Sequence, residues 1–314
     1  MSLIEKAMGR IHAGQPSAAA VTAKHQFKEL WQEIAAADPA VPLPGSPATP
    51  TSTRMSDTSN GGATSRIPLV IPLSHLLEQS FITPGKEADR TAREFRMIKR
   101  PLLFNLSSRK DPPVMNARRI MVTSALPNEG KTFCAINLAL SIADERDHSV
   151  LLVDADVARP SLPEKLGVAA QPGLMDALSD PSIEIGDLVV QTSIDNLSLL
   201  MAGGLHRKAT EMLASGAMNR LLESLSTRFA DRIIIFDSPP LLVTTEASVL
   251  AAHMGQIVLV VEAGGTDRGA VSAAVACLAD APGIVSTLMN KAPLRKKSEF
   301  LPYGGYGYGY EVRA

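Results

Sequence analysis

Cysteine is scarce: Cys134 and Cys277 are the only two in 314 residues. They share no C-x-x-C spacing and have no histidine cluster near them, which argues against a structural metal site and a disulfide framework. Reduced thiols in a cytoplasmic protein are the expectation. Net charge is also missing, with 31 basic residues against 32 acidic ones. No global basic field attracts nucleic acid or an anionic membrane, so nucleic acid is not an expected partner. Long apolar runs are absent too, since no window approaches the ~18 apolar residues of a membrane helix. The most apolar stretches, Ile233–Phe236 and Ile257–Val261, are short and β-branched, and read as buried strands. Met1 to Arg10 carries no apolar core of signal-peptide type. If the chain works at a membrane, another chain must bring it there. His12, His25, His75, His148, His206 and His253 show no metal or triad spacing, and no solenoid repeat is present.

Three regions are expected. Residues 1–66 hold two short amphipathic stretches, Ser2–Ile11 and His25–Ala37, the second with Phe27, Leu30, Trp31 and Ile34 at helical spacing. They are followed by a Pro-, Ser-, Thr-, Gly- and Ala-rich stretch, Asp38–Arg66, which reads as a flexible linker. Residues 67–293 are regular. They start with a short strand at Ile67–Ile71, a short helix capped by Ser74, and a charged helix from Glu87 to Lys99 that Pro101 ends. From Arg119 a βα rhythm follows. Strands are expected at Ile120–Ser124, Val150–Val153, Leu197–Met201, Arg232–Phe236, Ile257–Val261 and Ile284–Met289. Helices are expected at Lys131–Ala143, Ala209–Thr227, Glu246–His253 and Asp267–Ala279. Strands separated by helices imply an α/β fold with a mostly parallel sheet and helices on both faces. Residues 294–314 form a basic and tyrosine-rich tail. It begins with Arg295-Lys296-Lys297 and holds all four tyrosines of the chain, Tyr303, Tyr306, Tyr308 and Tyr310. Glycine spacing keeps that run from packing, so it reads as disordered.

The sequence Ala125-Leu126-Pro127-Asn128-Glu129-Gly130-Lys131-Thr132 follows a strand and opens a helix. That context is what a phosphate-binding loop requires, because backbone N–H groups and the helix dipole at a helix start favour phosphate oxygens. Pro127, Asn128, Glu129, Gly130, Lys131, Thr132 and Phe133 are the candidate nucleotide contacts. Lys131 would reach the β- and γ-phosphates, and the Thr132 hydroxyl would serve Mg²⁺. The first position is Ala125 where the strict pattern has Gly. Two further segments place carboxylates just past buried strands: Leu151-Leu-Val-Asp154-Ala-Asp156 and Ile233-Ile-Ile-Phe-Asp237. In an open α/β sheet the carboxyl ends of the strands form the ligand crevice. Such carboxylates hold Mg²⁺ through its waters, and one can take a proton from an attacking hydroxyl. ATP and Mg²⁺ are thus the expected ligands.

These residues resemble the bacterial tyrosine kinases of capsule and exopolysaccharide loci, most closely the autokinases of exosortase-linked loci. The resemblance covers about residues 67–314. It rests on the relaxed phosphate loop, on LLVDADVARP at Leu151–Pro160, on Ile233–Pro240 and on the terminal tyrosine cluster. Gly203–Ser215 and Val260–Gly264 are also similar. The resemblance implies a P-loop kinase in which Asp154 deprotonates the tyrosine, Asp156 and Asp237 position Mg²⁺, and Lys131 stabilises the transferring phosphoryl group. Asn290 would lie near the adenine. It further implies autophosphorylation in trans of Tyr303, Tyr306, Tyr308 and Tyr310 and assembly into a ring or other homo-oligomer. The activator would be a membrane-spanning chain-length regulator on a separate chain, and a cognate tyrosine phosphatase would reverse the reaction. The protein would be cytoplasmic, recruited to the inner face of the membrane, and would regulate polysaccharide polymerisation and export. The arginine expected after the second aspartate of LLVDADVARP stands one place late, at Arg159. The oligomerisation motif of the family has the altered form Arg93-x-x-Arg96-x-x-Lys99. The alternatives are a partition- or division-type P-loop ATPase, whose early loop lysine is replaced here by Leu126, and an ATP-binding scaffold of the export machinery.

Overall fold

The structure is a computed structural model and describes residues 68–85, 89–106 and 113–293. The two amphipathic stretches, the linker and the tail with Arg295–Lys297 and its four tyrosines lie outside the described residues.

Helices α1 (Leu73–Glu78) and α2 (Arg90–Phe104) precede a βα succession. Its elements are β1 (Arg119–Ser124), α3 (Lys131–Ala143), β2 (Ser149–Asp154), α4 (Leu162–Leu166), α5 (Leu174–Ser179), α6 (Ile185–Leu188), β3 (Val190–Gln191) and β4 (Leu197–Leu200). They continue as α7 (Ala209–Leu213), α8 (Gly216–Arg228), β5 (Arg232–Asp237), α9 (Thr245–Ala251), β6 (Gln256–Glu262), α10 (Arg268–Cys277) and β7 (Ile284–Asn290). The strands form one seven-stranded sheet of order β3-β4-β2-β5-β1-β6-β7, parallel except for the short edge strand β3.

Strand alternation sends side chains to two cores. Ile120, Val122, Val150, Leu152, Ile233 and Ile235 pack on the side of α3, whereas Met121, Leu151, Val153, Ile234 and Phe236 pack on the side of α8 and α9. This two-sided burial is why the strands read as continuous apolar runs. Helix α3 is buried along almost its whole length, between the sheet and α2. Asn137 on α3 ties in the entering segment, accepting from the Ile82 N–H at 2.8 Å. Gln256 at the start of β6 donates to the Leu102 and Ala117 carbonyls and accepts from Asn105, which sutures α2 to the sheet.

Several local expectations change. Pro101 lies inside α2, which continues to Phe104. A proline there forfeits the bond to Met97, four residues back on the solvent face, but burial of Leu102 and the Gln256 bond to its carbonyl hold the last turn. The helix expected over 209–227 is two helices, because Ser215 caps α8 by accepting from the Ala217 N–H. Helix α1 starts at Leu73 with Pro72 at its N-cap, so Ser74 is not the cap. The expected strand at 67–71 amounts, in the described residues, to one bridge between Leu69 and Thr192; Pro68 and Pro72 offer no N–H on either side of it. Lys99 is buried, donating to the Ser141 carbonyl at the end of α3 and pairing with Glu145 at 2.9 Å. The last basic position of Arg93-x-x-Arg96-x-x-Lys99 therefore serves this fold internally. Among the described residues no helix is long and apolar enough to cross a membrane.

Candidate active site

The candidate site lies at the carboxyl ends of β1, β5 and β2, where the loop after β1 turns into α3. Gly130 caps α3 with φ +94°, a left-handed conformation that glycine adopts freely. A Cβ there would also strike the Asn290 carboxamide. Ala125, in place of the usual glycine, is fully buried with its methyl in the core, so the loop accommodates it. Phe133 stacks on Phe81 at 5.5 Å and meets Phe95 edge-on at 6.5 Å. Its side chain is thus a packing group, and only its backbone N–H is available to a phosphate.

Register brings the carboxylates together. Asp154 and Asp237 end neighbouring parallel strands and stand directly opposite each other. Both share the parity of the residues that face α3, so both side chains point beneath the helix start at Lys131 and Thr132. Neither residue has any exposed surface. Burial, reinforced by the charge of Asp237, raises the Asp154 carboxyl to about 7, although the Leu162 N–H pulls the other way. Its Oδ2 accepts from the Ser161 and Leu162 N–H groups, each at 3.2 Å. Burial raises Asp237 to about 6, with Lys131 pulling it part of the way back.

Asp156 is differently placed. Its Oδ2 pairs with the Lys131 ammonium at 2.7 Å, and its Oδ1 accepts from the Arg159 N–H at 3.2 Å. Burial alone would lower the Lys131 pKa, but Asp237, Asp156 and Asp154 together outweigh it and hold the ammonium above its ordinary value. Arg159 itself is exposed and contributes backbone here. The Thr132 hydroxyl lies 3.4 Å from that of Ser161.

A hydrated divalent cation fits these residues. Asp154 Oδ1 and both oxygens of Asp237 are buried without a partner at good hydrogen-bond geometry, although the nearby Thr132 hydroxyl pulls the Asp237 pKa down. Unsatisfied buried carboxylate oxygens are costly, and a cation with its water shell would satisfy them. Among the described residues no three His, Cys, Asp or Glu side chains converge into a direct metal site. Asn290, at the end of β7, closes on the loop and donates to the Glu129 carbonyl at 2.9 Å. Three residues near the site were not singled out from the sequence. Ser161 and Leu162 hold Asp154 through backbone amides, and Thr266 donates to Glu129. Backbone donors leave no side-chain signature, and nothing distinguishes Thr266 from an ordinary turn residue.

No family model matches the chain. The curated proteins include the tyrosine-protein kinase YwqD of Bacillus subtilis, 28% identical over 232 residues that cover 74% of this chain and 92% of that protein. The tyrosine-protein kinase wzc of Salmonella typhimurium is 26% identical over 235 residues, 74% of this chain and 31% of that longer one. Among solved structures, the kinase domain of the Escherichia coli tyrosine kinase ETK matches with a TM-score of 0.60 at 25% identity, covering 76% of this chain and 94% of that one.

The chain is a homologue of the bacterial tyrosine-protein kinases. This kinase homologue carries the P-loop fold of that group. Ala125–Thr132 and all three aspartates lie inside the described residues.

Proposed function

We propose that this kinase homologue is an ATP-dependent protein-tyrosine kinase that phosphorylates Tyr303, Tyr306, Tyr308 and Tyr310 of a neighbouring copy. The observation that carries this reading is Asp154: a buried carboxyl raised to about 7, beside a phosphate loop, in a fold matching a tyrosine-kinase domain. A group with that pKa can accept a proton near neutral pH. The tyrosine oxygen attacks the γ-phosphorus of ATP and forms the new O–P bond as the bond to the β,γ-bridging oxygen breaks. The phenolic proton passes to Asp154, and ADP leaves. Lys131 stabilises the charge on the transferring phosphoryl group. Thr132, Asp156 and Asp237 would hold Mg²⁺, which supplies charge neutralisation at the β- and γ-oxygens. Because Asp154 is fully enclosed, the site must open before a phenol can reach it.

The same reading extends to the setting. An autokinase of an exosortase-linked exopolysaccharide locus would act in the cytoplasm at the inner face of the membrane. It would be recruited and switched on by a membrane-spanning chain-length regulator, would assemble as a ring or other homo-oligomer, and would be reversed by a tyrosine phosphatase. The test is incubation with Mg-ATP and mass spectrometry of the tail, beside Lys131→Met. Phosphate on Tyr303–Tyr310 in the wild type alone is expected. Steady ATP hydrolysis with no phosphate on those tyrosines would refute the kinase reading.

A further inference from the structure

Glu129 takes no part in the chemistry above, yet only 2% of it is exposed. Its side chain turns inward beneath the phosphate loop. One oxygen accepts from the Leu126 N–H at 2.6 Å, and the other accepts from the Thr266 hydroxyl. Thr266 Oγ1 in turn accepts from the Glu262 N–H at 3.1 Å. Thr266 ends the tight turn between β6 and α10, where Gly264 has φ +75° and the Gly265 and Thr266 N–H groups both donate to the Glu262 carbonyl. Two more links join the loop to the same wall. Asn290 donates to the Glu129 carbonyl, and Lys291 bridges the Asn128 carbonyl and the Glu262 carboxylate at 2.7 and 2.9 Å. The Lys291 link is half-exposed and contributes little, whereas the Glu129–Thr266 link is shielded.

A carboxylate beneath a loop that binds phosphate works against that binding unless it is occupied and turned away. Here a backbone donor and a hydroxyl occupy both its oxygens and fix where it points. We propose that Glu129 and Thr266 form an internal clamp that holds the phosphate loop in its nucleotide-binding shape, so that Thr266 is a positioning residue for nucleotide affinity. This rests on the nucleotide-binding reading above and extends it to the turn after β6, which no residue of the proposed reaction uses.

The test is a titration of the full chain with a fluorescent ADP analogue and Mg²⁺, for wild type, Thr266→Val, Thr266→Ser, Glu129→Ala and the Glu129→Ala/Thr266→Val double variant. Valine keeps the volume and removes the hydroxyl, so the affinity should fall about tenfold, the worth of one hydrogen bond to a charged group. Serine keeps the hydroxyl and should bind as the wild type does. Glu129→Ala should weaken binding at least as much as Thr266→Val. The double variant should bind no worse than Glu129→Ala, because the hydroxyl then has no carboxylate on the loop to hold. Wild-type affinity in Thr266→Val would overturn the clamp, and so would losses that simply add in the double variant. A wild-type protein that binds no nucleotide would overturn the nucleotide reading together with the clamp.

Discussion

Replacing Asp154 by asparagine should stabilise the nucleotide-free protein at alkaline pH, and the gain should disappear in mild acid. The Asp154 carboxyl is raised from 3.8 to about 7 in the folded state. For an acid, a raised pKa means that the folded state holds the proton more tightly than the unfolded state does. Stability is therefore fully present below about 4 and is lost as the pH rises towards 7. The full cost of ionisation above pH 7 is about 4 kcal/mol. Asparagine never bears that charge. Its carbonyl can still accept from Ser161 and Leu162, while its amino group takes the place of Oδ1, which has no partner. An unpaired buried donor costs about 1–3 kcal/mol. The net gain at pH 8 is thus about 1–3 kcal/mol, and at pH 5 it is about nil, since the aspartate then carries only about 1–2 kcal/mol of the cost. Urea denaturation followed by circular dichroism, in EDTA at pH 5 and pH 8, measures the difference. A stability difference between variant and wild type that does not change with pH, or that falls from pH 5 to pH 8, would refute the reasoning.

Three more outcomes are expected. Autophosphorylation under kcat/KM conditions should rise with pH through about 7, the free-enzyme value of Asp154, and a flat profile between pH 6 and 8 would remove Asp154 as the base. Lys99→Met should cost about 1–3 kcal/mol in denaturant unfolding, because the Ser141 carbonyl and Glu145 lose their partner; stability equal to wild type would show that the buried ammonium contributes nothing. Phosphorylated tails, each phosphotyrosine adding about −1.5 to −2 charges, should repel neighbouring copies and loosen any assembly, so light scattering of phosphorylated and phosphate-free protein should give different masses.

The parts of the fold legible in the sequence are those whose signal is local. Strands β1, β2, β5 and β6 are apolar runs because both sheet faces are covered, and the loop before α3 carries its own glycine and lysine. Helices α4, α5 and α6 are four to six residues long, too short for a periodicity to show. Edge strand β3 is two residues that exist as a strand only because β4 lies alongside. Pro101 ends a helix by local rule and fails to do so here because Gln256, 155 positions further on, supports the last turn. Distance along the chain hides such partners.

The sequence alone determined the fold class, and it set Gly130-Lys131-Thr132 between a strand and a helix and aspartates at the ends of two apolar runs, because hydrophobic patterning and a strand–loop–helix context are written in consecutive residues. Tertiary structure decided what those residues do to one another. Strand register set Asp154 against Asp237 and raised the pKa of each by burial, which no spacing in the chain reveals. Folding also gave Lys131 to Asp156, and it turned Glu129 away from the phosphate side onto Thr266. Charge and hydrogen-bond energies depend on distance and dielectric, and only the packed chain fixes either.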